Sequence, residues 1–280
     1  MIGVFDSGYG GLTVLNELIK KLPEYNYVYL GDNARAPYGN KSEKVIYNYT
    51  CAGVDYLFNK GCKLIILACN TASAQALKKI QQEYLLKKHP QKKVLGVIIP
   101  AVETVLETIK KSGKKKKPEK IGVIGTRMTV GSRAYNKEFK KRNKTLKIFS
   151  KSCPLLVPLI EEGWAKKSET KRILKKYLRP LKEKKIKYLI LGCTHYPFLL
   201  KEIKQIMGVN VHIINTPEAI AKKTKEYLKR HKNLEKELLK NKKQLYLTTD
   251  SVEEFRRFCS RFLLKDIVIN KIELKSNSLK

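Results

Sequence analysis

Along the chain, short apolar runs alternate with stretches whose apolar positions recur every three or four residues. That is the pattern of an α/β protein. Ile2-Gly3-Val4-Phe5 predicts a first strand ending in Asp6-Ser7-Gly8-Tyr9-Gly10-Gly11, and Leu12, Leu15, Leu18 and Ile19 then share one helix face. Val28-Tyr29-Leu30 predicts a second strand, closed by Gly31-Asp32. Leu64-Ile65-Ile66-Leu67-Ala68 is apolar throughout, as expected of a parallel strand covered on both faces. It ends at Cys69-Asn70-Thr71, ahead of an Ala-rich helix start. Val94 to Ile99 predicts another strand, stopped by Pro100, and the Lys-rich stretch from Lys110 to Lys120 reads as an exposed loop. The pattern then restarts. Ile121-Gly122-Val123-Ile124 leads to Gly125-Thr126, Tyr188-Leu189-Ile190-Leu191-Gly192 to Cys193-Thr194-His195, and Val211 to Ile214 to Asn215-Thr216-Pro217. Leu245 to Asp250 leads into a helix whose start fits a capping box, Ser251 with Glu254 three residues on.

The restart is an internal repeat. "IGVFDSG" corresponds to "IGVIGTR", and "LIILACNT" to "LILGCTH"; Cys69 follows Asp6 by 63 residues and Cys193 follows Thr126 by 67. Two similar α/β units follow, each with one Cys at the carboxyl end of a strand, the edge where open parallel sheets bind ligands. Two apolar strands can also resemble each other by chance. The fold expected is two pseudo-symmetric domains, each a mostly parallel sheet flanked by helices, with the active site in the cleft between them. Residues 1–99 plus 212–280 are assigned to the first and 100–211 to the second.

A length of 280 residues suits about two domains, and 42% apolar residues support a sizeable core. No apolar run approaches the ~18 residues of a membrane span, and the acid at Asp6 does not suit a signal peptide, so a soluble cytoplasmic protein is expected. The charge is lopsided: 59 Lys and Arg against 25 Asp and Glu give +34. Such a field attracts polyanions, but the excess is mostly Lys spread in runs such as Lys114 to Lys117, without a zinc-finger or RNA-recognition signature. Nucleic-acid binding is therefore not expected, and solvated helix faces account for the Lys. The six cysteines, Cys51, Cys62, Cys69, Cys153, Cys193 and Cys259, have no C-x-x-C spacing, so reduced thiols without a metal are expected.

Two thiols at matching strand ends suggest two equivalent groups facing one cleft. Inverting a carbon that bears one acidic hydrogen needs such a pair: one base takes the proton from one face and one acid returns a proton to the other. Each thiol lies between a strand and a helix start, where N–H groups are expected to favour the thiolate. Asp6 ends the first strand and can sit beside Cys69, while His195 lies two residues past Cys193. A lone strand-end Cys is more often a small buried hydrophobe, and a lone His beside Pro197 is usually structural. The pairing of the two motifs points to chemistry. A G-x-G-x-x-G fingerprint is lacking after the first strand, where Thr13 stands at the last Gly position, and no cofactor is expected.

The blocks "FDSGYGGL" (Phe5 to Leu12), "GDNARAPYG" (Gly31 to Gly39), "ACNTAS" (Ala68 to Ser73), "GTRMTV" (Gly125 to Val130), "CPLLVPLIEEG" (Cys153 to Gly163) and "GCTHYP" (Gly192 to Pro197) occur in this order. Together they resemble the cofactor-independent glutamate racemases of bacterial cell-wall synthesis, over nearly the whole chain. The resemblance implies interconversion of L- and D-glutamate, with D-glutamate supplied to peptidoglycan. It implies that Cys69 handles the proton of D-glutamate, assisted by Asp6, and Cys193 that of L-glutamate, assisted by His195. Substrate binding carries over to Asp6, Ser7, Tyr38, Gly39, Asn70, Thr71, Thr194 and His195. Asp32, Thr126, Glu161 and Glu162 are further candidates, and spacing does not say which Glu faces the cleft. A homodimer is also expected. The alternatives are a related racemase acting on aspartate or a hydantoin, a basic nucleic-acid-associated regulator on the same fold, and a cysteine hydrolase using Cys193 with His195.

Overall fold

The structure, a computed structural model, describes residues 1–113, 118–262 and 267–274. Its ten strands among these residues are β1 (Ile2–Asp6), β2 (Tyr27–Gly31), β3 (Leu64–Leu67), β4 (Lys93–Gly96), β5 (Lys120–Gly125), β6 (Lys147–Ser152), β7 (Tyr188–Gly192), β8 (His212–Ile214), β9 (Gln244–Thr248) and β10 (Ile269–Lys271). They form two all-parallel sheets, ordered β10-β9-β2-β1-β3-β4 and β6-β5-β7-β8. β1, β2, β3 and β7 are buried along their whole length, which is why each reads as an apolar run.

Alternate residues of each central strand feed opposite faces. Ile2 and Val4 join one core cluster and Phe5 the other; Ile121 and Val123 likewise part from Ile124. Helices cover both faces of each sheet, so the molecule is two pseudo-symmetric α/β units. The amphipathic helix Leu12–Lys21 buries Leu12, Val14, Leu15 and Leu18 and packs on the helix Thr216–Arg230. The latter also packs on the helix Ile98–Lys111 of the second unit, so it joins the two.

The topology places the site. In the first sheet the chain order reverses at β1, with β2 on one side and β3 on the other; in the second it reverses at β5, between β6 and β7. Ligands bind outside the carboxyl ends of strands at such reversals, because the connecting loops part there. These ends carry Asp6 and Cys69 in one unit, and Thr126 and Cys193 in the other. The internal repeat is therefore a repeat of the reversal.

One expectation is corrected. Strand β4 stops at Gly96, and Ile98 to Lys111 is a helix that buries Ile98, Ala101, Val102 and Val105 at helical spacing. Pro100 is accommodated in the first turn, where a missing N–H breaks no helical hydrogen bond. Strand β8, which begins at His212, pairs with β7 in the second sheet. At the start of the helix Val252–Phe262, the Glu254 N–H donates to Ser251 Oγ at 3.2 Å, while the Glu254 carboxylate pairs with Arg257. In the Lys-rich stretch, helix continues to Lys111, and Lys114 to Lys117 lie outside the described residues.

Candidate active site

A cavity, open at its mouth, lies between the two reversals. Ser7, Tyr38, Gly39, Cys69, Asn70 and Thr71 of the first unit line it, as do Thr126, Cys193, Thr194 and His195 of the second. Both thiols therefore face one space, each contributed by a different sheet.

Cys69 follows β3 and is buried. Its Sγ lies 3.3 Å from Ser7 Oγ and accepts from the Ala72 N–H at 3.5 Å, at the start of the helix Asn70–Gln75. These contacts favour the thiolate, as the sequence suggested, but they do not prevail. Burial, followed by the charge of Asp6, pushes the Cys69 thiol up to about 12. Asp6 is fully buried at the end of β1. It accepts from the Gly8 N–H at 3.1 Å and from Thr194 Oγ1 at 3.3 Å, and burial raises its carboxyl to about 6 against the pull of His195 and these donors. Asp6 thus acts on Cys69 through charge while its hydrogen bonds go elsewhere.

On the other side the partners form a chain. Cys193 Sγ lies 3.9 Å from His195 Nδ1, and His195 Nε2 lies 2.8 Å from Glu161 Oε1. Burial alone lowers the imidazole, but its bonds to Cys193 and Glu161 outweigh that and carry it up to about 10. His195 is therefore held toward its protonated form between two acidic partners, placed to pass a proton to Cys193 and regain one.

The loops are drawn together by close approaches across the two units. A Cβ on Gly10 would lie 2.4 Å from Thr194 Oγ1 and 2.5 Å from His195 Nδ1; one on Gly39 would lie 2.8 Å from Thr126 Cβ. Hydroxyls tie the same seam: Thr71 Oγ1 lies 2.9 Å from Thr126 Oγ1 and 3.3 Å from Thr129 Oγ1, and Thr13 Oγ1 donates to the Thr194 carbonyl at 3.2 Å.

Four candidates stand off the cavity. Asp32 is buried behind it, where it accepts from Arg35 Nε at 2.7 Å, Thr249 Oγ1 at 3.0 Å and the Tyr38 hydroxyl. The Tyr38 hydroxyl is thus committed to Asp32, and the rest of Tyr38 with Gly39 forms the lining. Asp6 and Glu161 act from behind Cys69 and His195. Glu162, the next residue along, is exposed and contributes nothing to the cavity. Sequence reasoning passed over Cys153, Arg127, Val157 and Pro158, which also line the cavity. The position of Arg127 just past the end of β5 was an available signal; Cys153 follows β6, which shows no apolar run to mark it. All six cysteines are free and buried. Among the described residues, no group of three or more His, Cys, Asp or Glu is arranged to hold a metal ion, and no helix is long and apolar enough to cross a membrane.

Two thiols, one from each of two related halves, thus line one space. The family of Asp/Glu/hydantoin racemases matches residues 10–224, and the chain belongs to that family. Its relatives include glutamate racemases of Sulfurihydrogenibium, 40% identical over 98% of this chain and 97% of the relative, and Aquifex aeolicus, 42% identical over 81% and 83%. Among solved structures, a glutamate racemase isoform from Bacillus anthracis superposes with a TM-score of 0.87 at 35% identity, covering 98% of this chain and 97% of its own. The Francisella tularensis glutamate racemase, solved with D-glutamate, gives 0.85 at 34% identity over 98% of both chains.

Proposed function

We propose that this protein is a glutamate racemase, interconverting L- and D-glutamate by a two-thiol mechanism and supplying D-glutamate for peptidoglycan. One observation carries the mechanism: Cys69 and Cys193 sit at corresponding reversals of two related sheets and line the same cavity. In the L-to-D direction the Cys193 thiolate takes the α-proton, with His195 and Glu161 balancing its charge, and the Cys69 thiol delivers a proton to the opposite face. The reverse direction exchanges the roles, with Asp6 beside Cys69. Hydroxyl and amide donors of Ser7, Asn70, Thr71, Thr126 and Thr194 hold the two substrate carboxylates. Such preorganised donors around the cavity stabilise the carbanion that forms when the poorly acidic α-hydrogen leaves. Arg127, exposed at the mouth, adds positive potential for a dianionic substrate. We further propose two domains that divide after β8, and a homodimer, which a solution mass of two chains checks.

The test is incubation of the purified protein with L-glutamate in D2O without pyridoxal phosphate. The expected result is D-glutamate by chiral chromatography, deuterated at Cα. Aspartate turned over faster than glutamate, or no α-exchange at all, overturns the reading.

A further inference from the structure

The residue after each thiol is held by the opposite unit. Thr194, after Cys193, donates to Asp6 at the end of β1. Asn70, after Cys69, accepts at Oδ1 from the hydroxyl of Tyr135 at 2.7 Å, and Tyr135 lies on the second unit's helix Ala134–Arg142. Tyr135 does not line the cavity. It stands behind the wall, 2% exposed, packed in the core with Ile98, Val102, Val123 and Phe139. Its ring also abuts the second thiol's strand, because a Cβ on Gly192 would lie 3.2 Å from Tyr135 Cε2. One side chain therefore touches the residue before Cys193 with its ring and the residue after Cys69 with its hydroxyl.

The polarity of this contact matters. Burial holds the phenol well above its ordinary range, so it remains an O–H donor at every working pH. A phenol that donates to Oδ1 commits the oxygen of the Asn70 amide and leaves both N–H groups on the other edge. Asn70 is 3% exposed and lines the cavity. We propose that Tyr135 is a positioning residue for substrate binding: it locks the Asn70 amide with its N–H groups toward the cavity as carboxylate donors, and does so only while the two units are docked. Without the phenolic O–H, the amide is free to turn its oxygen toward the cavity, where it would repel a carboxylate. The inference rests on glutamate being the ligand.

The experiment is a double-mutant cycle of Tyr135→Phe and Asn70→Ala, read as steady-state kinetics and as D-glutamate binding by calorimetry. Phe keeps the ring contacts with Gly192 and the core. The expected result for Tyr135→Phe is a rise of about tenfold in both KM and the dissociation constant, with kcat changed less than about threefold. In the Asn70→Ala background the same substitution changes neither, because Tyr135 acts through Asn70. An unchanged KM in Tyr135→Phe, or an equal effect of Tyr135→Phe in both backgrounds, overturns the proposal while leaving the racemase reading intact. A wild-type protein that neither binds nor racemises glutamate overturns both.

Discussion

Asp6→Asn separates stability from chemistry at this site. The carboxyl is fully buried and raised from an ordinary value near 3.8 to about 6. Above that pH its ionised form costs the folded state about 3 kcal/mol, at ~1.4 kcal/mol per pK unit. The direction follows from proton counts. Between 3.8 and about 6 the folded protein holds the Asp6 proton and the unfolded chain does not. Stability therefore falls as pH rises through that window, with the whole cost present above it and none below 3.8. Asn keeps two of the three partners of Asp6: its oxygen can accept from the Gly8 N–H and its amide can donate to Thr194 Oγ1, whose hydroxyl accepts as well as donates, while the Gly11 N–H keeps an acceptor only by sharing that oxygen. The expected outcome in urea unfolding is a variant stabilised by about 3 kcal/mol near pH 8, the gain shrinking toward zero near pH 4. Racemisation falls at the same time, because the group acting on Cys69 has lost its charge. A variant less stable near pH 8, or a difference that does not vary with pH, would refute the account of Asp6 as a carboxylate ionised against burial.

Cys69→Ala is expected to lower racemisation by at least about a hundredfold with unchanged circular dichroism, in the range of a lost acid–base group; near-wild-type turnover would favour a Cys193–His195 hydrolase. His195→Asn must reduce kcat/KM equally in both directions, because the enantiomers have equal free energy. The asymmetry is expected in isotope effects instead: α-deuterated L-glutamate should show a larger effect than wild type and α-deuterated D-glutamate a smaller one, and equal changes would reject the pairing of His195 with the L-side thiol. Gly10→Ala forces a methyl to within 2.4 Å of Thr194 Oγ1 and should cost about 1–3 kcal/mol in thermal unfolding along with most of the activity. A Gly10→Ala protein with wild-type melting would show that the seam has room.

What could be read from residues alone followed from burial. β1, β3 and β7 are sealed on both faces and admit only apolar side chains, so their ends, and hence Asp6, Cys69 and Cys193, could be located. β6 and β10 could not, because Lys147 to Ser152 and Ile269 to Lys271 keep most positions partly or fully open to solvent and show no apolar run. Ile98-Ile99-Pro100 was misplaced because a short apolar run has no period; the helical face emerges only with Ala101, Val102 and Val105. Glu161 and Glu162 differ by one helical step of about 100°, which turns one to His195 and the other to solvent. The balance of effects at Cys69 was out of reach of the sequence for a different reason. A helix start after a strand is visible in sequence, whereas the desolvation and the Asp6 charge that outweigh it arise only when β1 and β3 lie side by side.

The two halves match in topology but differ in what surrounds each sulfur, and the reaction explains the difference. Two-base inversion needs one thiolate and one thiol in each turnover, so two strictly equivalent sites would have to break their symmetry by chance. Here a buried carboxyl accompanies Cys69 and an imidazole held toward its protonated form accompanies Cys193. Negative charge on Cys193 further raises Cys69. In the proposed inversion one sulfur gives its proton to Cα while the other gains the substrate's α-proton, so the charge pattern reverses. Asp6, poised near 6, and His195, near 10, lie on either side of neutral pH, where both patterns must be reachable. A fold made of one reversal twice supplies the geometry, and the unlike neighbours, Asp6 beside Cys69 and His195 beside Cys193, make the two thiols chemically distinct.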